Sequence, residues 1–499
     1  MFLSHTKFSL LSLELDDDDG FPRMHVCFNT SDKTSLSLAC PDGTILFSDV
    51  YYNGIHNESM YLAGYRTTPS AGKYTLKATD AYKNIVFENE LQLDGPDLFL
   101  THVSEDWWGQ DPGVSLVGLR LTLRNTGALP AYPYSVIVHD ATQSEEAFLI
   151  PTVILPHQDQ QVQCFIHLPS ISSGESVLNI SVHGSSGAVL AQTARTIVPS
   201  DPISSWEYRW RYLGDNTMSI PDVDWFYAYY KNLKRFDIID YAAYVFDYTD
   251  DSYLSFVANQ LLSLTDATDN MTKINFIASF IQGITYELDD PLNESYEYPR
   301  YPLETLSEHH GDCEDKAILA ASLLHSIGYN VSLIRLPSHM AVGVHLNETI
   351  PVYTPYIDEY YFLETTTPHI PLGKVPSEYQ GLTNVTVYPI SPRPLLIHHW
   401  KNATRYTISN GVAYVKVHMI IENLGSAIAP YIEVRGAFYD DENQSYNEQI
   451  TVVSSLAAGD KRIAELTMNI PPMVSTVLRT QLYLGDVMVH FRESSSRFS

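Results

Sequence analysis

Residues 117–138, VGLRLTLRNTGALPAYPYSVIV, and residues 415–436, VKVHMIIENLGSAIAPYIEVRG, run in parallel although they lie far apart in the chain. Each alternates apolar and polar residues up to an Asn-x-Gly step, Asn125 to Gly127 and Asn423 to Gly425, and Ala131 then matches Ala429. Alternation is the period of a half-buried strand, and Asn-x-Gly supplies a turn between strands. The parallel resumes downstream, where ILPHQDQQVQCFIHLP (154–169) answers LAAGDKRIAELTMNIP (456–471). Residues 96–199 and 389–499 are therefore expected as two copies of one β-sandwich. Residues 21–95, with breaks at PDG and SAG and a clear strand in KYTLKAT, are expected as a third.

The whole chain sets bounds on function. At 499 residues it should hold three or four domains, and an apolar fraction of 44% is enough for real cores. Fifty-nine acids against 30 bases give a net charge of −29, which argues against nucleic acid or anionic membrane as partner. No stretch of 18 uninterrupted apolar residues occurs, so no membrane span is expected. The four cysteines, Cys27, Cys40, Cys164 and Cys313, are too few for a disulfide scaffold. Residues 1–20 lack a small-residue cleavage site and are expected as a leader or disordered segment.

Between the two repeats the period changes from two to that of a helix. DVDWFYAYYKNLKRF, DSYLSFVANQLLSL and MTKINFIASFIQGI each carry helical spacing, and their aromatic residues favour core packing over a carbohydrate platform. Then comes HHGDCEDKAILAASLLHSIGYN (309–330), an apolar helix with Asp312 as N-cap, Cys313 in the first turn and Gly328 as its stop. Unpaired N–H groups and the helix dipole favour a thiolate there, whereas Glu314 and Asp315 oppose it, so a nearby base is required. Two strands follow. One opens at His339, and another, in DEYYFLETTTP, puts Tyr360, Phe362 and Glu364 on one face. A cysteine on a helix, a histidine and a carboxylate together make up a thiol nucleophile with its base and orienting acid. His309, His310 and Cys313 lack the second short-spaced ligand pair of a zinc site, so neither metal nor cofactor is expected.

The order Gly-Asp-Cys-Glu-Asp-Lys, His-Met-Ala-Val-Gly-Val and Tyr-Phe-Leu-Glu-Thr-Thr resembles the transglutaminase-like superfamily, especially the archaeal secreted members of that papain-related group. The resemblance covers roughly residues 200–388 and implies an α+β catalytic domain flanked by the three sandwiches. It also implies Cys313 as nucleophile, His339 as base, Glu364 as third member and Gln282 as oxyanion-hole donor. Glu364 departs from the usual Asp, and Asp358 is the weaker substitute. The sandwiches are similar to the immunoglobulin-like, cell-adhesion-related domains of prokaryotic surfaces.

Ten of 22 asparagines, Asn29, Asn57, Asn179, Asn270, Asn293, Asn330, Asn347, Asn384, Asn402 and Asn443, open Asn-x-Ser/Thr sequons, an enrichment that points to export. Their glycans are expected on outward loops. The expected function is an extracellular or cell-surface thiol enzyme, a peptidase or a transglutaminase, acting on amide bonds of a protein substrate or neighbouring surface protein, with self-assembly as a further partner class. The alternative is an adhesion or coat protein whose catalytic-type domain is a silent scaffold.

Overall fold

The computed structural model describes residues 7–109, 114–169, 171, 176–289, 297–407 and 413–498; Asn293 lies outside them. The chain is multidomain and mostly β, and it divides into two compact units, Met1–Ile203 and Ser204–Ser499.

The first unit holds two sandwiches. The first is built from β1 (Phe8–Asp18), β2 (Phe21–Thr30), β3 (Thr34–Ala39), β4 (Ile45–Tyr51), β5 (Gly54–Tyr61), β6 (Gly72–Asp80) and β7 (Ile85–Leu93). Its sheets have the order β1-β2-β5 and β4-β3-β6-β7. Strand period makes the core: Met24, Val26 and Phe28 from one sheet meet Leu36, Leu38, Tyr74 and Leu76 from the other, all fully buried. Residues 8–18, expected within a leader, are thus a strand. Their acidic end is held rather than solvated, because Arg23 pairs with Asp16 at 2.6 Å and with Asp18 at 3.0 Å.

The second sandwich follows with β8 (Leu98–Trp108), β9 (Ser115–Asn125), β10 (Ser135–His139), β11 (Ser144–Phe148), β12 (Asp159–Leu168), β13 (Ser176–His183) and β14 (Val189–Ile197). The orders are β12-β9-β8 and β11-β10-β13-β14. Tyr132 donates to Asp17 Oδ2 at 2.7 Å, and Arg66 donates to the carbonyls of Pro133 and Thr152, tying the two sandwiches together.

The second unit opens with the hairpin β15 (Ser205–Arg211) and β16 (Asp215–Pro221), then the helices α1 (Asp224–Asn232), α2 (Ala242–Val245), α3 (Asp251–Ser263) and α4 (Asn270–Gly283). Two short strands, β17 (Thr285–Tyr286) and β18 (His310–Gly311), flank α5 (Pro302–Glu308). Next come α6 (Cys313–Ser326), β19 (Asn330–Leu336), β20 (His339–His345), β21 (Tyr360–Leu363) and β22 (Thr386–Ile390). The four strands form one antiparallel sheet, β21-β20-β19-β22. Helix α6 lies between this sheet and helices α2 to α5, and Ala317 to Ala321, Leu323 and Leu324 are fully buried. A helix apolar all round is a central one. Burying Ile318, Leu319, Leu323 and Leu324 contributes roughly 6–12 kcal/mol before entropy is counted. The aromatic residues upstream pack as expected: Trp210, Phe226 and Tyr230 are buried, and Trp210 donates to Ser279 Oγ.

The third sandwich completes the unit with β23 (Leu396–Thr407), β24 (Ala413–Asn423), β25 (Ile432–Tyr439), β26 (Ser445–Val453), β27 (Lys461–Asn469), β28 (Thr476–Leu484) and β29 (Val487–Phe498). The orders β23-β24-β27 and β26-β25-β28-β29 repeat those of the other two sandwiches strand for strand, an immunoglobulin-like layout of three strands on four.

The Asn-x-Gly steps do more than turn the chain. Asn125 and Asn423 are both fully buried at the end of a strand. Asn423 donates to the carbonyls of Ala427 and Leu456 at 2.8 and 3.1 Å and accepts from the N–H groups of Gly425 and Leu395, both at 3.1 Å. Asn125 makes the same four bonds, to Leu129, Ile154, Gly127 and Asp97. Glycine is needed for closeness rather than for a left-handed φ: a Cβ at Gly127 would strike the carbonyl oxygen of Gly95, and one at Gly425 that of Arg393. Replacing Asn423 by Ala leaves three backbone groups, the Ala427 carbonyl and the Gly425 and Leu395 N–H groups, without this partner, which should cost about 2–4 kcal/mol. The third sandwich's thermal transition in Asn423→Ala should fall by roughly 10 °C or more, and an unchanged transition would show the cross-link to be dispensable.

Candidate functional site

The mouth of α6 is assembled around Asp315. Its carboxylate is fully buried and accepts from the Arg300 N–H at 2.7 Å, from Arg300 Nη1 at 2.5 Å and from the Asp312 N–H at 3.2 Å. Gly311 must be glycine, since a Cβ there would lie 2.7 Å from that of Asp315. Asp312 and Asp315 form a reciprocal cap, of which the sequence reading took only the Asp312 half. It fixes Cys313 at the first position of the helix.

The Cys313 sulfur receives the N–H of Met340 and donates to Glu314 Oε2 at 3.2 Å. It therefore abuts the first turn of β20, the strand that begins at His339. His339 Nε2 lies 3.2 Å from Glu364 Oε2, which leaves Nδ1 as the nitrogen available to the thiol. The imidazole stacks on Tyr379 with centroids 4.8 Å apart and planes 3° from parallel. Glu364 follows directly after β21 and is 1% exposed. Its Oε1 accepts from the Thr366 N–H, Thr366 Oγ1 and the Thr367 N–H, so Oε2 is left to the histidine. Burial works to raise this carboxyl, but the bonds from His339 and Thr366 outweigh it and hold the group at about 2. Glutamate's longer arm thus has a clamp of its own. Asp358, by contrast, sits in a turn ahead of β21 at φ 47°, not on the strand, and does not replace it.

Gln282 is placed beside this dyad but has no donor to spare. Its Nε2 donates to the carbonyls of Glu364 and Ile370 at 2.9 and 3.0 Å, and its Oε1 accepts the His369 N–H at 3.1 Å. The expected oxyanion role does not fit these bonds; Gln282 holds the loop that carries Glu364. The first-turn N–H groups of α6, where Cys313 stands, have no intrahelical acceptor. His309 caps α5 at φ 59° and packs on Tyr208, while His345 pairs with Glu359 at 3.7 Å.

Electrostatics at the thiol run against a resting thiolate. Burial first, and then Glu314, push the Cys313 thiol well above its ordinary range, although the Met340 N–H works the other way. Glu314 is itself pushed up to about 11 by burial and by the carboxyls of Glu297 and Asp312. Sequence reasoning weighed Glu314 and Asp315 alike; the fold makes Asp315 an anchor and leaves Glu314 at the sulfur. It also missed Lys316, fully buried one turn on, which donates to the Ile284 carbonyl at 2.8 Å and is held down at about 8 by burial.

Cys313 and His339 open onto one cavity of about 740 Å³, lined also by Tyr241, Tyr286, Arg335 and Asn384. That is the size of a small-ligand or side-chain site. Of the nine described sequons, Asn384 stands at this cavity, while Asn330 and Asn347, nearer the site in sequence, line a different one with Asn270. Asn29, Asn57, Asn179, Asn330 and Asn402 lie on strands rather than on outward loops, Asn270 begins α4, and Asn347, Asn384 and Asn443 are in loops. All four cysteines are free thiols, and Cys40 donates to Asp42.

Neither a family model nor a curated protein matches the sequence. Solved structures that align include a two-domain fibronectin type-III segment of chicken tenascin, 11% identical over 38% of this chain and 99% of that one, with a TM-score of 0.17. A β-glucuronidase of glycoside hydrolase family 2 is 7% identical over 97% of this chain and 75% of that one, with a TM-score of 0.18. An exo-chitosanase of Amycolatopsis orientalis is 8% identical over 95% and 76%, with a TM-score of 0.16. At these scores none bears on the chemistry of the Cys313 cavity.

Because Glu364 is held below the 4.5 of an ordinary glutamate, it adds stability above pH 4.5 that is lost as pH falls towards 2. The shift corresponds to about 3 kcal/mol at neutral pH. Denaturant unfolding of Glu364→Gln against the parent should therefore show a gap at pH 6–7 that narrows steadily towards pH 3, and a gap independent of pH would deny an ionised Glu364.

Proposed function

We propose that the chain is a transglutaminase-like thiol enzyme that cleaves or transfers protein amide bonds through a Cys313 acyl-enzyme, at a cell surface or outside the cell. The carrying observation is the His339–Glu364 pair at 3.2 Å, with Glu364 Oε1 committed to Thr366 and Thr367, beside a sulfur placed at the start of a helix. In the reaction the thiol proton passes to His339 Nδ1 as sulfur attacks the substrate carbonyl carbon. The oxyanion is met by first-turn N–H groups of α6. His339 then returns the proton to the leaving nitrogen, and water or an amine resolves the thioester. Glu364 stays ionised throughout and keeps the imidazole in the tautomer that presents Nδ1 as acceptor. Export, as the sequons imply, puts another surface protein within reach as substrate.

One observation favours the silent-scaffold alternative: the acids and the burial around Cys313 that hold its proton. The two readings part on His339. If it is the base, Cys313 should react with iodoacetamide faster than Cys27 or Cys40, and His339→Ala should slow that reaction about tenfold or more. Glu364→Gln should cut amide turnover, or amine incorporation, by about a hundredfold or more with the fold intact. Alkylation of Cys313 that ignores His339 would hand the site to the scaffold reading.

Asn384 supplies a second check. A glycan there would fill the mouth of the cavity, so an active enzyme should carry Asn384 unmodified even where Asn330 and Asn347 are occupied. Mass spectrometry of the exported protein after enzymatic deglycosylation reads this directly, and full occupancy of Asn384 would close the cleft to protein substrates.

A further inference from the structure

We propose that Asp289, Glu297, Asp312 and Glu314 form a binding site for one hard divalent cation of calcium's size in the wall of the Cys313 cavity. The four carboxyl groups each offer an oxygen, and these oxygens all lie within 4.8 Å of one another. All four residues line the cavity. No two of the four oxygens stand further apart than opposite ligands around one calcium ion, whose Ca–O bonds are roughly 2.4 Å.

The independent sign of a missing ligand is the state of the two inner acids. Asp312 is 6% exposed and Glu314 4% exposed, yet Asp312 Oδ1 and Glu314 Oε1 have no hydrogen-bond partner. Buried carboxylate oxygens are rarely left so, and a bound ion is one of the few explanations for a native orphan. The carboxyls of Glu297 and Asp312 both stand at hydrogen-bonding range of Glu314. Of the nearby cations, Arg335 lines the same cavity, and Arg300 is engaged with Asp289 at 2.6 Å, with Asp315 at 2.5 Å and with Glu308 at 2.9 Å. Asp289, oriented by Arg300 and by the Tyr298 N–H, serves as a fixed outer ligand. Glu297 is exposed and closes the site from the solvent side. An all-oxygen donor set of this charge selects a hard cation, and a softer ion such as zinc would instead recruit the Cys313 sulfur from the overlapping group Asp312, Cys313 and Glu314. Since Glu314 also accepts the Cys313 S–H, a cation on Glu314 competes for the group that holds the thiol's proton.

The site stands whether or not Cys313 is catalytic, so the test reads binding alone. The full chain is titrated at pH 7 with Tb³⁺, following emission sensitised by Tyr241 and Tyr286, which line the same cavity. Ca²⁺ is then used as competitor. We expect saturable sensitised emission displaced by Ca²⁺ at ~10⁻⁶ to 10⁻³ M. Glu314→Gln and Asp312→Asn should each weaken it about tenfold or more. The exposed Glu297→Gln, which leaves the buried network untouched, should weaken it as well. Emission that is equal in all three variants would place the ion elsewhere and overturn the proposal. So would the absence of Ca²⁺ competition up to ~10 mM, or binding of Zn²⁺ alone that is lost in Cys313→Ser.

Discussion

The contact between Asp315 and Arg300 sets the position of everything chemical in this chain. Two fully or nearly buried groups of opposite charge meet at 2.5 Å, and each is spent several times over. Asp315 also receives two backbone N–H groups, which ties residue 300 and residue 312 to the head of α6. Arg300 reaches on to Glu308 at the end of α5, and Glu308 receives Lys231 and Tyr227 from α1. A buried ion pair of this kind adds little net stability over apolar packing, but removing one partner leaves a charge with no water and typically costs 3–5 kcal/mol. Its value here is register. Three helices and a short strand are locked so that the first residue of α6 can face the first residues of β20.

Sequence alone carried the parts of this arrangement that are local. The helix of Cys313 was legible because its apolar run, cap and glycine stop are contiguous. His339 was legible because a β-branched strand and a Leu-Pro-Ser turn lead into it. The repeats were legible because the buried Asn and its glycine are a fixed two-residue device. The parts that failed depend on distant partners. The acidic segment Asp16 to Asp18 reads as solvated until Arg23 and Tyr61 are brought against it by strand pairing. Gln282 reads as a donor near the site until the loop carrying Glu364 folds over and uses both of its N–H bonds. Asp289 and Glu297 carry no local signal, since neither has periodicity or spacing relative to Asp312 and Glu314; only the chain's path joins them.

All three sandwiches share one strand order, yet only two of them read as copies of each other in the sequence. At the end of β9 and of β24 the crossing to the opposite sheet is held by a buried asparagine. At the corresponding end of β2 stands Thr30, whose hydroxyl meets that of Thr34 at 2.6 Å and reaches the Lys7 and Asp32 carbonyls. The task is the same, to satisfy buried polar groups where the chain leaves one sheet for the other. Two hydroxyls perform it in one copy and one amide in the others, so topology is kept while the sequence signature is lost.

The ring of Tyr379 against His339 has a consequence for the order of events in the cleft. Nearly parallel stacking at 4.8 Å allows the imidazole to rock within its plane and opposes its turning over. The tyrosine is held from behind, since its carbonyl accepts from Tyr356 at 2.8 Å. A histidine that cannot invert keeps one ring nitrogen on the carboxylate and presents the other to the cavity. Under the proposed reaction a departing nitrogen would then collect its proton on the side where sulfur entered, and would have to leave before a second nucleophile used the same ring nitrogen. Traffic through the cavity would be single file.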